Sequence, residues 1–539
     1  MLLLGKLPAL TLQPVGRPFT HIVSRLLPAW SKTSSYFMTK LSHIASWLLL
    51  TCTVTPVTAS SLKLISQHTP KDGGAEIISY TTDGHRLASN FSGGTDSHGV
   101  QLFTLKADDS LKEDQTLDLG ALFDGKILSV SSVALDPLGR GLGAVVVIPE
   151  DNARVRGWLV FFNYRTGERL GKGLEIGFHP DCVNFSQDGK YLLVANEGEF
   201  SPYASAPGSL SVIDLSSLKT ADAESISQLK AEDHDFSACD LTGIRIHEFD
   251  VPKWHAIEPE YVTGLNDKAY VTLQENNAVA VFDLKHRRWE AIHSLGTLTQ
   301  TIDANPNDKK ADISQTVAGL PMPDTIVAFE HQGVVLIATA NEGDARHDEF
   351  DVTTVATAPL SGSLASLSAD ENFKHLEIST LDGDTNGDGV IDVPTMFGTR
   401  SFSIWNGQSG ELVHDSGSLE PLLLEKDPAP HNIDGGTPDN FDKRSAKKGP
   451  EPEALTVGET SGRRFLFVGL ERQNGILMFD ITDPNQAIFA AYVNTIEENL
   501  VAPESLLFLP ESATPSGKPL LLGGYELHGG RIGVFEVIP

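Results

Sequence analysis

Residues 180–198 read Pro-Asp-Cys-Val-Asn-Phe-Ser-Gln-Asp-Gly-Lys-Tyr-Leu-Leu-Val-Ala-Asn-Glu-Gly. Cys182 to Phe185 is a short, mostly apolar strand, Asp188-Gly189 is a turn dipeptide, and Tyr191 to Ala195 is a second apolar run. Together they spell an antiparallel hairpin with one acid at its entrance, Asp181, and another at its exit, Glu197. The pattern returns along the chain. Pro323-Asp324 leads to Glu342 in a second Ala-Asn-Glu-Gly, Pro259-Glu260 to Glu275, Pro452-Glu453 to Glu471, and Pro503-Glu504 to Glu526. Two degenerate copies, Glu76 to Asn90 and Ser132 to Glu150, come first, which makes seven. A third alternating strand follows most of them, as at Ser209–Asp214, Val279–Asp283, Ile476–Asp480 and Ile532–Glu536. Short strands at this spacing, with no helical period, predict an all-β fold, a seven-bladed β-propeller.

The last copy ends on its third strand, and Leu62-Lys63-Leu64-Ile65 supplies an unpaired one. The reading therefore closes the ring with the mature N-terminal strand, hiding two sheet edges at once. Seven blades of about 40 to 45 residues need about 300. The surplus lies in long loop insertions near residues 216–250, 296–320, 345–397 and 418–450 of a single domain covering 60–539. A two-domain division is the alternative.

Residues 1–59 stand apart. They hold Lys6, Arg17, Arg25, Lys32 and Lys40 and no acid. From Met38 a basic start, an apolar run over 44–57 and Val57-Thr58-Ala59 make a signal segment with a small-residue cleavage site. Met38 is read as the true start, with an unusually long n-region as the alternative. Export follows, to the periplasm or the extracellular space. No other apolar run reaches membrane length, and nothing marks a C-terminal anchor. The 539-residue chain carries 41 basic and 71 acidic side chains, a net charge of −30, and removal of 1–59 makes it −35. Such acidity excludes a nucleic-acid backbone binder. Cys182 and Cys239 are the two cysteines left, either one disulfide or two free thiols in an oxidising compartment.

Adjacent antiparallel strands bring the entrance acid of one and the exit acid of the next to the same rim. Glu76, Asp181, Glu260, Asp324, Glu453 and Glu504 are thus expected around an axial opening, with Glu197, Glu275, Glu342, Glu471 and Glu526 just outside. Like charges so close call for a cation, a metal or an inserted arginine. Arg346, Arg400 and Arg472 are the candidates. The alternative makes each Asn-Glu-Gly a turn whose acid accepts backbone hydrogen bonds and ties one blade to the next.

A second site is local. Asp384, Asn386, Asp388 and Asp392 occupy positions 1, 3, 5 and 9 of a calcium loop, Gly389 position 6 and Val390, by its carbonyl, position 7. Thr395 stands at position 12, so Asp382 is expected to supply the missing carboxylate and Ca²⁺ to order the insertion. A solvated acidic turn is the alternative. Lys447 and Lys448 beside Arg444 read as a solvated loop. The histidines, among them His179, His255 and His431, are scattered without zinc spacing.

Val-Ala-Asn-Glu-Gly-Glu at 194–199, Tyr-Val-Thr-Leu-Gln-Glu-Asn-Asn-Ala at 270–278, Thr-Ala-Asn-Glu-Gly-Asp-Ala-Arg at 339–346, Gly-Thr-Arg-Ser-Phe-Ser-Ile at 398–404 and Lys-Gly-Pro-Glu-Pro-Glu-Ala-Leu at 448–455 resemble the choice-of-anchor I family. That family is related to the mesenchyme-specific cell surface glycoprotein group and is often labelled alkaline phosphatase-like. The resemblance implies a secreted propeller of the YVTN/WD40-like kind. The expected function is binding of a ligand or protein partner at the acidic axial face. One alternative is a calcium-dependent phosphoesterase using Glu342 and Glu471 for metal and Arg346, Arg472 or Arg400 for charge neutralisation. The other is a structural cell-surface module.

Overall fold

The computed structural model describes residues 59–539 apart from 94–96, 121–122, 124–125, 199–205, 247–250 and 347–349. Except for Ala59, the signal segment and its start at Met38 lie outside the described residues. Residues 180–198 fold as their pattern dictates. Strands Pro180–Phe185 and Tyr191–Asn196 pair antiparallel, then Ser209–Asp214 and Glu232–Asp235 extend the sheet to four strands. Asp188 shapes the first turn by accepting from Ser186 Oγ at 2.8 Å and Lys190 N at 3.1 Å. Gly189 follows in the left-handed region at φ +65°, where a side chain would be strained.

Among the described residues seven sheets have four or more strands and two are smaller. The other large sheets have as their first strands Ile78–Thr81, Ile127–Ser129 together with Val133–Leu135, Pro259–Leu265, Ile326–His331, Pro452–Thr460 and Pro503–Leu509. In the last of these, strand Ser61–His68 joins from the opposite end of the described chain. It pairs antiparallel with Arg531–Ile538 in the register Leu62 to Val537 and Leu64 to Phe535.

Middle strands such as Tyr191–Asn196 and Ala278–Asp283 are buried throughout, because both faces of each sheet are covered. Each large core is shared by two consecutive sheets. Leu159 and Phe161 pack with Val194 and Ile213, Leu193 and Leu210 with Val271 and Phe282, and Phe402 and Ile404 with Leu466 and Phe479. Ile78, Leu87 and Phe103 pack with Leu509, Leu522 and Val534, so the first sheet rests on the last.

The insertions have a core of their own. Residues 342–400 leave and return between Val334–Asn341 and Ser401–Asn406, which pair directly. Gly343 and Gly398 mark the crossing point, since a Cβ on Gly343 would lie 1.9 Å from Gly398 N. Leu298–Ile302, Gln315–Leu320 and Thr395–Phe397 form a three-stranded sheet, and Val352–Thr354 pairs with Glu377–Ser379. Ile302, Val317, Val355, Phe373, Ile378 and Met396 pack together beneath them. No helix among the described residues is long and apolar enough to cross a membrane.

Of the two alternatives for Cys182 and Cys239 the structure has the free thiols. Cys182 is buried in a first strand, whereas Cys239 edges a surface groove beside Asp235 and Trp289. Burial pushes the Cys239 thiol up to about 11 and Cys182 higher still.

Candidate functional site

The first strands present their acids through a feature that the repeat pattern does not announce. Pairing with the second strand slips between Pro180 and Cys182, Pro259 and Val262, Pro452 and Leu455, and Pro503 and Ser505. Each slip contains the acid that follows proline: Asp181, Glu260, Glu453 or Glu504. Proline has no N–H to give the ladder, and a bulge leaves its extra residue unpaired and re-aimed. These four acids, with Glu76, Asp324 and Glu526, line one cavity of about 400 Å³. Tyr261 and His179 share it, and the degenerate second copy contributes Ser131 in place of an acid.

Asparagines close several of the second strands. Asn90, the end of the first copy, donates Nδ2 to Val130 O at 2.8 Å and links the first sheet to the second. Asn341, before Glu342, donates Nδ2 to Ser401 and Ser403 at 3.0 and 2.8 Å within its own sheet. Glu342 reaches partners outside that sheet.

Burial and mutual repulsion govern the titration of the cavity. Burial first and Glu526 second push Glu76 up to about 7. Burial also lifts Asp181, and it lifts Glu260, Asp324, Glu453 and Glu504 far above the usual carboxylate range, reinforced by the neighbouring acids. Glu453 Oε2 is buried and has no hydrogen-bond partner. Such a group holds a proton or a cation more readily than an exposed carboxylate does.

Outside this ring a second layer is partly neutralised. Glu342 accepts from Lys448 Nζ at 2.7 Å and Gln274 Nε2 at 2.9 Å. Glu471 pairs with Arg472 Nη2 at 2.8 Å. Between them stands Glu451, fully buried and absent from the repeat reading. It accepts from Arg444 Nε at 2.6 Å and lies 3.4 Å from Arg472 Nε and 3.7 Å from Lys448 Nζ. Burial alone would raise Glu451, but Lys448, Arg444 and Arg472 together hold it below the usual range. Lys448, read from sequence as solvated, is therefore a half-buried counter-charge. Carboxylate oxygens of Glu342, Glu451 and Glu471 lie within 4.8 Å of one another, as do those of Glu453, Glu471 and Glu504. Glu471 belongs to both sets. Glu275 is 6% exposed with Oε2 unpartnered, and Glu197 lies 3.7 Å from His179.

Of the three candidate arginines only Arg472 meets these acids. Arg346 is fully buried against Glu258 and donates to Ala256 O at 2.9 Å. Arg400 pairs with Glu420 at 2.7 Å and donates to the carbonyls of Asp303, Ser445 and Lys447. Nearness in sequence to Glu342 and to the first strand after the insertion suggested them. Beyond the chain crossing at Gly343 and Gly398, Arg346 meets the 256–258 segment before strand Pro259–Leu265, and Arg400 meets residues of the 296–320 and 418–450 insertions.

In the 384–392 loop Asp384 accepts from the N–H groups of Gly387 at 2.7 Å and Gly389 at 2.8 Å, which hold it below the usual range. Asn386 accepts from Asp388 N, Asp388 from Val390 N, and Asp392 from Thr385 Oγ1 and Asn386 Nδ2. Asp382 does not turn toward them. It is held by Arg245 Nε at 2.7 Å and Ser379 Oγ at 2.6 Å, which corrects its assignment to the loop.

The family model of the choice-of-anchor I domain matches residues 76–484. Among curated proteins, Gigasin-3a of Magallana gigas is 27% identical over 179 residues, 30% of this chain. The match spans 63% of that relative's length. Among solved structures, the hydrazine synthase of Kuenenia stuttgartiensis is similar at a TM-score of 0.44 and 12% identity, over 87% of this chain and 97% of that one.

Proposed function

We propose, for a chain that belongs to the choice-of-anchor I family, an exported β-propeller of seven blades that binds a multivalent cation, or a cationic group of a partner, at its axial carboxylates. The cores shared between consecutive sheets, the packing of the first sheet on the last, and the pairing of Ser61–His68 with Arg531–Ile538 support a ring of blades. The family and the signal-like segment support a surface or secreted role, periplasmic or extracellular.

The observation that carries the binding reading is the convergence of seven carboxyl groups on one cavity of about 400 Å³. Buried acids that repel one another bind protons at neutral pH, so a divalent cation entering among them displaces protons. Calorimetric titration with Ca²⁺, and separately with a polyamine, in two buffers of different ionisation enthalpy reads that release. Wild type should bind with release of protons, and Glu453→Gln/Glu504→Gln should lose that class. Unchanged binding in the double variant sinks the reading. A separate Ca²⁺ in the 384–392 loop is part of the same proposal, supported by the ligand spacing.

The two carboxylate sets that share Glu471, with Arg472 beside them, favour a second reading as a phosphoesterase with two adjacent metal ions. Calcium-dependent hydrolysis of a generic phosphomonoester, abolished by Glu471→Gln, is the outcome that selects it.

A further inference from the structure

Asp303, His431 and Asp442 meet inside the insertions, outside every repeat and away from the axial cavity. Asp303 directly follows strand Leu298–Ile302, and the other two come from the segment after helix Glu420–Lys426. Asp303 and His431 are 1% exposed and Asp442 is 0% exposed. One ligating atom from each lies within 4.8 Å of the other two. His431 Nε2 is 3.0 Å from Asp303 Oδ2, while His431 Nδ1 is buried with no hydrogen-bond partner. Asn432 is next to them, its Nδ2 3.4 Å from His431 Nε2, and its Oδ1 is also buried without a partner.

Two features set this cluster apart from an ordinary buried ion pair. The first is charge. One imidazole carries at most one positive charge against two carboxylates, and the neighbouring Arg400 is paired with Glu420 and three carbonyls. Buried charge without a counter-ion is costly, and buried polar atoms without partners are rare. The second is orientation. Asn305 N and Asp312 N donate to the two oxygens of Asp303 at 3.1 and 3.0 Å. Ser445 Oγ and Lys309 N donate to those of Asp442 at 2.5 and 3.1 Å. Hydrogen bonds of this kind fix the direction of ligating carboxylates around a metal and leave their remaining lone pairs free to bind it.

We infer that Asp303, His431 and Asp442 bind a first-row divalent metal ion, zinc or manganese, which fastens the 296–320 insertion to the 418–450 insertion. An imidazole with two carboxylates is a borderline donor set, suited to these ions, whereas calcium takes oxygen ligands alone. Burial makes the metal structural. It stabilises the insertion without presenting an open coordination position to solvent.

The full chain, stripped with chelator and desalted, should take up one equivalent of zinc or manganese that excess Ca²⁺ does not displace, measured by mass spectrometry of the metal. His431→Gln and Asp442→Asn should lose that equivalent, and Glu453→Gln/Glu504→Gln should keep it. If wild type takes up neither ion, or both cluster variants retain it equally, the inference is wrong. Should the variants fail to fold, cobalt absorption of the wild-type chain decides. A cobalt spectrum changed from that of the free ion, strongest for a four- or five-coordinate site, supports the inference, and the unchanged spectrum of the hydrated ion overturns it.

Discussion

The axial cavity and the Asp303–His431–Asp442 cluster both hold carboxylates out of water, yet they manage the charge in opposite ways. In the cavity, acids delivered by first-strand bulges or strand entrances and by one exit glutamate face one another, and among the described residues Lys448, Arg444 and Arg472 stand in the layer outside. In the insertion cluster each carboxylate is tied by backbone or hydroxyl donors, an imidazole lies between the chains, and Arg400 with Glu420 braces the surroundings. Repetition concentrates like charge on an axis. Insertion lets unlike groups be recruited from different parts of the chain.

The largest effect that tests this contrast is on the insertion side. Arg400→Ala leaves Glu420 buried without its partner and withdraws donors from three carbonyls, so unfolding in denaturant should show a loss of about 3–5 kcal/mol. A loss under about 1 kcal/mol means the brace is not structural. On the axial side Lys448→Met removes the shared counter-charge of Glu342 and Glu451. Because Lys448 keeps some solvent contact, the expected loss is smaller, about 2 kcal/mol at pH 8. It should shrink at pH 5 as Glu342 takes up a proton.

The cavity also predicts a pH dependence of fixed sign. Glu76 titrates near 7 in the folded chain against an ordinary 4.5. Between those values the unfolded chain has released a proton that the folded chain keeps, so stability falls as pH rises across this window, by about 1.4 kcal/mol per pH unit for each such proton. Burial and mutual repulsion raise Glu260, Asp324, Glu453 and Glu504 as well, so they act in the same direction. Melting curves from pH 4.5 to 8 should show the decline in chelator and a flatter profile in Ca²⁺. A rise with pH in chelator would contradict the shared-proton account. The smallest effect is in the 384–392 loop. Asp388→Ala should change stability by less than about 0.5 kcal/mol without calcium, while removing one class of bound calcium by titration.

Five of the entrance acids were legible in the chain because each follows a proline at the start of an apolar run, and Glu76 follows Ala75 in a degenerate copy. The partners of those acids were not. Arg346 and Arg472 each lie within a few residues of a predicted ring acid, but only Arg472 pairs with its own, Glu471, and with Glu451 besides, whereas Arg346 pairs with Glu258. Lys448 and Glu451 carried no repeat signal, since both precede the strand whose acid was counted. Asp382 was the nearest carboxylate to replace the one missing at position 12, but Arg245, far away in sequence, holds it. His431 looked scattered because its companion Asp303 is 128 residues distant.

Alternating apolar strands, turn dipeptides and recurrent acids determined the all-β class, the family and the presence of a carboxylate-rich face, because backbone periodicity and turn chemistry are local properties. Tertiary structure alone decided which cation neutralises which acid, that the two cysteines stay apart, and that two insertions bring a histidine between two aspartates. Those outcomes depend on where chain crossings such as Gly343 against Gly398 send the side chains beyond them, and no local pattern encodes that.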